Sequence, residues 1–478
     1  MALIAALVLL ALVLMLTDSK TPAFAIAAIA GAAIICWGAL YTSKHHEWIV
    51  LPIELIFAFI SFSLFSDDIR APIHYGLLIL FCVPLIPTAL RSGVFRQGEF
   101  KRYSYYLCFA AITFVYSVAP AYSAARWVEA VLVILALGAM VSELNDSEGL
   151  ERILSHYFVA CAIITAIMVL SLGLPHSLCW GSPAENIEPN VLREMQKMGV
   201  RVDGIERFQS LFGGPNDVGA VMLVTVATGL LCWSQAAWRR RILIAGAILG
   251  AVVCGALADS RSPFVALAIG ITGCVIWRYG WRGILGMLAA GACLFAALLG
   301  SGFDFSGYVD RGNVTTLTGR TDMWIFVIHQ IAASPVLGYG YEVSGAIFDN
   351  RFFPLWWGPW DQGVHVSIHN GYLSHAVSVG VPVTICWLYI MLRPWCFIMR
   401  RSTNDWRLKQ MFFLLLIPIL VHNMSEVMAD DATGIVGFLF GVIWVIAERY
   451  RVLRVAADEA VLAKQRAALP RAVAALAR

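Results

Sequence analysis

Long apolar segments recur along almost the entire chain of 478 residues, and they limit its possible folds more than any other feature. A helix needs roughly 20 apolar residues, within a range of about 17 to 25, to cross a lipid bilayer. Segments close to this length lie at residues 2–17, 22–41, 50–66, 72–90, 103–119, 124–142, 152–173, 211–235, 241–258, 263–277, 283–302, 371–397, 410–427 and 432–447. The sequence therefore predicts an all-α polytopic membrane protein with about 12–14 transmembrane helices.

The composition excludes a soluble domain. Only 14% of the residues are charged and 60% are hydrophobic, whereas soluble globular domains carry about 25% charged residues. The 11 cysteines lie almost entirely in apolar stretches, and no CxxC pair occurs. Only Cys179 falls in a segment that we expect to be external. We therefore interpret the cysteines as small packing residues and expect no disulfide framework.

The segments between the apolar stretches alternate in charge, and every second one is basic. By the positive-inside rule, the basic segments and both termini are predicted to be cytoplasmic. The other segments, including 174–210 and 303–370, then face outward. The residues that make the first set basic are Lys44, Arg91, Arg96, Lys101, Arg102, Arg239, Arg240, Arg241, Arg278, Arg282, Arg400, Arg401, Arg407 and Lys409.

This pattern predicts four parts of the chain. Residues 1–302 form a transmembrane bundle with the external segment 174–210, and 303–370 form a large external loop rich in Trp, Phe, Tyr and Gly. Residues 371–447 form the C-terminal transmembrane helices, and 448–478 form a basic cytoplasmic tail, either a solvated or a membrane-surface helix. Walker, Rossmann, zinc-type and HExxH motifs are absent from the sequence, so nucleotide-driven and zinc chemistry lack support.

Several arginines fall on the predicted outward side, against the usual charge bias. Their planar groups of donors suit phosphate oxygens and keep their charge at physiological pH. Ionisable residues near the bilayer are functional candidates, although each arginine could instead snorkel or pair with an acid, as Arg261 could with Asp259. The candidate ligands of a phosphate or diphosphate group are Arg126, Arg201, Arg207, Arg261 and Arg320.

His369 is the main candidate for a general base, because imidazole can take a proton from a sugar hydroxyl near neutral pH. Asn370 and Tyr372 stand beside it and could orient a substrate. His365 and His375 compete for the same role, and a histidine at a helix end can also be purely structural.

Two further polar groups lie at predicted outer helix ends. In the sequence RFQSLFGGPND, which leads into a helix, Asn216 or Asp217 could cap that helix, and a helix N-terminus also suits an anion. His422 and Glu426 lie one helical turn apart near the end of another helix. We take Asn216, His422 and Glu426 as candidate substrate-binding residues.

The sequence resembles the O-antigen ligase and polymerase superfamily. The matching pieces follow one another along the chain and all lie on the predicted outward side. They are S-x-x-P-x-x-S-x-x-R at Ser117–Arg126, RFQSLFGGPND at Arg207–Asp217, DSRSPF at Asp259–Phe264, LTGRTDMW at Leu317–Trp324, SPVLGYGYE at Ser334–Glu342 and HNGYLSHAVSVGVP at His369–Pro382.

The resemblance implies a metal-independent, inverting glycosyltransferase of the multi-pass C type, with no cofactor. Its donor would be a glycan on undecaprenyl diphosphate, used at the periplasmic face of the bacterial inner membrane. Arg207, Arg261 and Arg320 would hold the diphosphate, and His369 would activate the acceptor hydroxyl. Besides donor, acceptor and lipids, other polysaccharide assembly proteins are conceivable partners, and nucleic acid is not expected.

The identity of the acceptor distinguishes two possible activities. A polymerase extends a second lipid-linked repeat, whereas a ligase transfers the glycan to lipid A-core. The LTGRTDMW form and the long aromatic loop favour an exopolysaccharide-type polymerase, while the His-Asn pair followed by Gly380 also fits a ligase. A flippase or transporter for lipid-linked sugars is a third possibility, but such proteins place charged groups near the bilayer midplane.

Overall fold

A computed structural model describes residues 41–42, 44–60, 67–142, 147–181, 207–212, 214–289, 320–347, 368–400, 406–427 and 434–476, together with positions 38 and 144. These residues form a helical bundle, in which one pair of two-residue strands is the only sheet within the described ranges. A continuous core of buried apolar side chains runs between the helices, and Trp395, Trp444 and Phe438 are among its largest members.

The first part of the bundle follows the predicted apolar segments. Its helices are α1 (Val50–Ile60), α2 (Asp67–Cys82), α3 (Ile86–Arg91), α4 (Gly98–Ile112), α5 (Pro120–Ser142), α6 (Ser147–Ser171), α7 (His176–Cys179), α8 (Pro215–Trp233), α9 (Trp238–Leu257) and α10 (Arg261–Tyr279). Strands β1 (Trp180–Gly181) and β2 (Arg207–Phe208) pair antiparallel, with Gly181 opposite Arg207.

Residues 281–289 after α10 are also helical, and the second part begins at Arg320. Its helices are α11 (Arg320–Ala333), α12 (Ser344–Ile347), α13 (Gly371–Val379), α14 (Val381–Arg400), α15 (Trp406–Met411), α16 (Ile417–His422) and α17 (Ile435–Leu476). A π-helical turn, Phe412–Leu416, joins α15 to α16.

Seven helices among the described residues are long and apolar enough to cross a membrane. They are Ile73–Arg91, Pro120–Ser142, Gly149–Ser171, Pro215–Trp233, Trp238–Leu257, Arg261–Tyr279 and Val381–Arg400. The predicted all-α polytopic membrane architecture is confirmed. The predicted segments 2–17, most of 22–41 and most of 283–302 lie outside the described residues. The division of the chain into four parts therefore stays a prediction.

The predicted helix 371–397 is broken into α13 and α14. Gly380, between them, has a φ of +86°, a conformation that residues with a side chain rarely adopt. The N–H of Gly380 still bonds to the carbonyl oxygen of Ala376 in α13, whereas that of Val381 bonds to Pro335, 2.8 Å away. The prediction of one continuous helix overlooked a local signal, because a glycine followed by a proline, here Gly380 and Pro382, is typical of a helix end.

Basic residues predicted to be cytoplasmic gather at one end of the bundle. Buried Glu99 lies at the start of α4 and pairs with Arg102 and with Arg393 near the end of α14. At the same end, Arg407 in the first turn of α15 binds Glu151 near the start of α6, 2.6 Å away. The start of α5, the starts of α8, α10 and α13, and the end of α16 lie at the opposite end.

Helix α17 continues without interruption from the last apolar segment into the basic tail. It has 42 residues, which corresponds to about 63 Å, whereas the hydrocarbon core of a bilayer is about 30 Å thick. The second half of α17 therefore extends beyond the bundle, at the end that carries Glu99 and Arg393.

Candidate active site

His369 lies immediately before α13 and is held by its neighbours in the chain. Its φ is +51°, in the left-handed region. The next residue, Asn370, is the N-cap of α13, and its side-chain oxygen accepts a hydrogen bond from the N–H of Leu373. The amide of Asn370 also donates to the carbonyl oxygen of Met424, 3.1 Å away. These bonds fix the backbone that carries the imidazole.

A buried carboxylate binds the His369 ring. His369 Nδ1 lies 2.7 Å from Glu426 Oε2, and the Glu426 side chain is 5% exposed while that of His369 is 26% exposed. Asn216 Nδ2 donates to the other carboxylate oxygen, Oε1, at 2.9 Å. Three residues from distant parts of the chain thus form one hydrogen-bonded chain, Asn216–Glu426–His369.

These hydrogen bonds change the role that we expected for Asn216 at the start of α8. The N-cap is Gly214, without a side-chain capping bond, so the capping role considered for Asn216 or Asp217 is wrong. Asn216 uses its amide to bind Glu426 instead. The neighbouring carboxyl of Asp217 interacts electrostatically with Glu426 as well.

Arg261 opens α10 on the same surface. Ser262 Oγ lies 3.1 Å from Nδ1 of the buried His422 at the end of α16, one helical turn before Glu426. Arg261 itself is 35% exposed, and its Nε lies 3.5 Å from Asp259 Oδ1. The candidate cation and the candidate base therefore both lie against the end of α16.

Arg207 lies in β2, which packs against α9, the helix that leads into the turn before Arg261. Its Nε is buried and has no hydrogen-bond partner among the residues that the structure describes. A buried guanidinium nitrogen is costly unless a partner satisfies it. Arg207 therefore has a donor suited to an anionic ligand.

Arg126 is arranged differently. Its Nε donates to Glu342 Oε2 at 2.8 Å, and its Nη1 donates to Glu129 Oε2 at 2.9 Å. The other oxygen of the fully buried Glu129 binds His74. Two carboxylates therefore engage the arginine that the sequence suggested as a phosphate ligand.

Three further predicted site residues remain to be placed. Arg320 begins α11, and α11 reaches the site because Trp324 Nε1 donates to the carbonyl oxygen of Ile368, 3.0 Å away. Tyr372 donates its hydroxyl to the carbonyl oxygen of Leu420 and so ties α13 to α16. Arg201 lies outside the described residues.

The other two histidines near His369 are placed less favourably or not described. His375 is buried between the rings of Tyr106 and Trp387, so a sugar substrate at the surface does not meet it. His365 lies outside the described residues. Among the candidate histidines that the structure describes, His369 has a partly exposed ring and a carboxylate partner.

The segment SPVLGYGYE, Ser334–Glu342, holds the break between α13 and α14. Its Gly340 N–H donates to the carbonyl oxygen of Ser378 at 2.8 Å, and its Tyr341 carbonyl oxygen accepts from Ser123 in α5 at 2.9 Å. Burial, with a contribution from Glu342, raises the pKa of Tyr341 well above its usual value. The segment thus ties the start of α5 to α13.

Left-handed backbone occurs at four described residues other than glycine, and all four lie in the sequence segments that carry the family resemblance. They are Ser210, Asp259, Glu342 and His369. Such a conformation costs on the order of 1–3 kcal/mol per residue and persists only where the surroundings enforce it. Its concentration around the candidate site is typical of a functional region.

Residues 256–388 match the family model Wzy_C, described as O-antigen ligase. The resemblance to the O-antigen ligase and polymerase superfamily is confirmed. A search among curated proteins gave no match. The O-antigen ligase match includes Arg261, Arg320, His369, Asn370 and Tyr372, and it supports a glycosyltransferase-type membrane protein with a lipid-linked oligosaccharide donor and a sugar acceptor.

The O-antigen ligase match ends before Glu426 and begins after Asn216. Both residues were candidates from sequence, but for contact with substrate rather than with His369. Their separations from their partners, 57 and 210 residues, hide the pairing. The sequence signal for Asn216 and Glu426 was that both are polar residues at predicted helix ends. Among the described residues, no group of three or more His, Cys, Asp or Glu side chains could hold a metal ion.

Proposed function

We propose that this protein transfers a glycan from undecaprenyl diphosphate to the hydroxyl of an acceptor sugar, at the periplasmic face of the bacterial inner membrane. The O-antigen ligase match and the seven apolar helices support this class of reaction. The site lies at the end of the bundle opposite the basic cluster around Glu99, which agrees with a periplasmic location under the positive-inside rule.

One observation carries the proposal: residues at the end of α16 contact both the candidate base, His369, and the start of α10, where Arg261 lies. Glu426 binds His369, and one turn earlier His422 binds Ser262, the residue after Arg261. A glycosyl transfer from a diphosphate donor requires a proton acceptor for the attacking hydroxyl and positive charge for the leaving group. The structure brings residues of both types to one surface.

In the proposed reaction, the acceptor oxygen attacks the anomeric carbon while its proton passes to Nε2 of His369. The bond between the anomeric carbon and the diphosphate oxygen breaks, and the diphosphate keeps the electron pair. A single in-line displacement inverts the anomeric configuration. Arg207, Arg261 and Arg320 stabilise the leaving charge, so the step needs no metal ion. Arg201 is a further candidate ligand of the diphosphate.

We favour a polymerase, because the LTGRTDMW sequence and the long aromatic segment after it resemble exopolysaccharide polymerases. The description of the matched family as O-antigen ligase favours the second candidate, transfer to lipid A-core. Transport receives less support, since Arg261, Arg320 and His369 lie at helix ends rather than at the midplane.

Reconstitution of the purified protein in liposomes with a lipid-linked repeat tests the proposal. A polymerase forms long chains on undecaprenyl diphosphate without lipid A-core, whereas a ligase forms product only when lipid A-core is present. We expect Arg261→Ala to abolish either activity and EDTA to leave it unchanged. Arg282→Ala, which alters an exposed arginine after α10, is the matched control and should remain active. Full activity of Arg261→Ala, or a flip of the lipid without any transfer, would contradict the proposal.

A further inference from the structure

The two oxygens of the Glu426 carboxylate have different partners, and this division suggests a role in the reaction. Oε2 faces His369 Nδ1 at 2.7 Å, and Oε1 receives the amide of Asn216 at 2.9 Å. With both oxygens bound, the carboxylate cannot rotate without losing a hydrogen bond. We propose that Glu426 is the positioning residue of His369 and that Asn216 fixes Glu426, a role that rests on the transfer reaction proposed above.

The chemistry of the pair determines the imidazole tautomer. An ionised carboxylate only accepts hydrogen bonds, so the ring nitrogen that faces it must carry the proton. Nδ1 is then the N–H, and Nε2 carries the lone pair that can accept a proton from the acceptor hydroxyl. After that transfer the imidazolium is positively charged, and the adjacent carboxylate stabilises it, as in other carboxylate–histidine pairs.

The difference in burial between Glu426 and His369 indicates which of the two side chains can contact the substrate. Glu426 is 5% exposed, whereas His369 is 26% exposed, so the imidazole and not the carboxylate can reach a substrate at the surface. The attraction between the carboxylate and the imidazolium is stronger in such a buried position than in water. Two further titratable groups lie close to the pair: Asp217, which interacts with Glu426, and His422, whose carbonyl oxygen accepts the Glu426 N–H.

The backbone holds Glu426 at this position. The N–H of Glu426 bonds to the carbonyl oxygen of His422, which continues the last turn of α16. The N–H of Gly371 lies 2.9 Å from the carbonyl oxygen of Asn423 and 3.1 Å from that of Glu426. Because these bonds join the start of α13 to the end of α16, His369 and Glu426 stand on one rigid unit.

This role also explains the residue type at the start of α8. An amide at Asn216 can donate to the carboxylate, whereas an aspartate there would place a second negative charge against Glu426. Asp217 already supplies one neighbouring carboxyl. The donor from Asn216 therefore holds the Glu426 carboxylate in the orientation that faces His369.

Glu426→Gln tests the role, because it keeps the size of the side chain and removes the charge. We expect kcat to fall about 100-fold, within the range that a positioned acid–base group contributes. We also expect the acidic limb of the pH profile of kcat/KM to move to lower pH, since a neutral amide stabilises the imidazolium less than a carboxylate does. KM for the lipid-linked donor should change less than threefold, and Glu426→Asp should recover part of the rate.

The controls separate this role from the proposed function. If His369→Ala transfers at the wild-type rate, the proposed function fails. If His369→Ala is inactive but Glu426→Gln keeps the wild-type rate and acidic limb, only the positioning role fails. A loss of rate in Glu426→Gln with an unmoved acidic limb also overturns that role. Should Glu426→Gln fold poorly, Asn216→Leu provides the test, with an expected loss of about tenfold in kcat and the same direction of shift.

Discussion

Arg126 and Glu342 form an ion pair, with 2.8 Å between Nε and Oε2, that ties the segment after α11 to the first turns of α5. Glu129 binds the same guanidinium at 2.9 Å and is fully buried. The arginine thus pairs with two carboxylates inside the protein. We infer that Arg126 supports the site structurally, in place of the direct diphosphate contact that its sequence position suggested.

Loss of Arg126 should therefore destabilise the protein. Arg126→Ala leaves the buried Glu129 without its cation, and breaking a buried pair in this way typically costs about 3–5 kcal/mol. Thermal unfolding in detergent should show a clear fall in Tm, whereas the exposed control Arg282→Ala should change Tm little. Adding Glu129→Gln to Arg126→Ala should recover part of the loss. An unchanged Tm in Arg126→Ala would rule out the structural role.

Gly380 should tolerate no side chain. Its φ of +86° disfavours other residues, and a Cβ there would overlap the backbone oxygen of Val336. We expect Gly380→Ala to lower Tm and the yield of folded protein. Gly345→Ala is the matched control, because a Cβ at Gly345 meets no atom within 4 Å. Equal stability of the two variants would show that the helix break does not depend on this close contact.

Gly371 should be needed for the geometry of the site. A Cβ at this position would overlap the buried side chain of Asn423, so either this side chain or the start of α13 would have to move. We expect Gly371→Ala to reduce glycan transfer at least tenfold through a longer distance between His369 and Glu426. Transfer assays on protein with a normal gel-filtration profile measure this effect. Transfer within twofold of wild type would show that the close packing is dispensable.

Cys179 should react slowly with thiol reagents in the folded protein. Burial raises the pKa of its thiol, so a smaller fraction is thiolate at a given pH, and thiolate is the reactive form. We expect little maleimide labelling of Cys179 at pH 7, with an increase only at pH values above the ordinary cysteine range. Labelling after denaturation provides the control, and mass spectrometry identifies the modified residue. Rapid labelling of the native protein at pH 7 would be inconsistent with a buried thiol.

The bundle was largely predictable, because hydrophobic length and loop charge are local properties of the sequence. Helices such as Pro120–Ser142 and Pro215–Trp233 begin within a few residues of their predicted positions. The placement of Arg261 and His369 at one end of the bundle followed from the same alternation of charge. These features needed no knowledge of which helices touch.

The pairings within the site were not predictable, since they depend on contacts between distant segments. His369 and Glu426 are 57 residues apart, and Asn216 is 210 residues from Glu426. Glu129, one helical turn after Arg126, was a local signal for a structural arginine, but the second partner, Glu342, lies 216 residues away. The break at Gly380 had a local signal in Pro382, but the contacts with Ser334–Glu342 that hold it could not be predicted from local sequence.

The central claim is that His369 takes the proton from the acceptor hydroxyl during glycan transfer. The most direct measurement is the initial rate of transfer by His369→Ala and by wild type, reconstituted side by side at saturating donor and acceptor. We predict a rate at least about 100-fold lower for the variant, with a Tm close to that of wild type. A His369→Ala rate within twofold of wild type would contradict the claim.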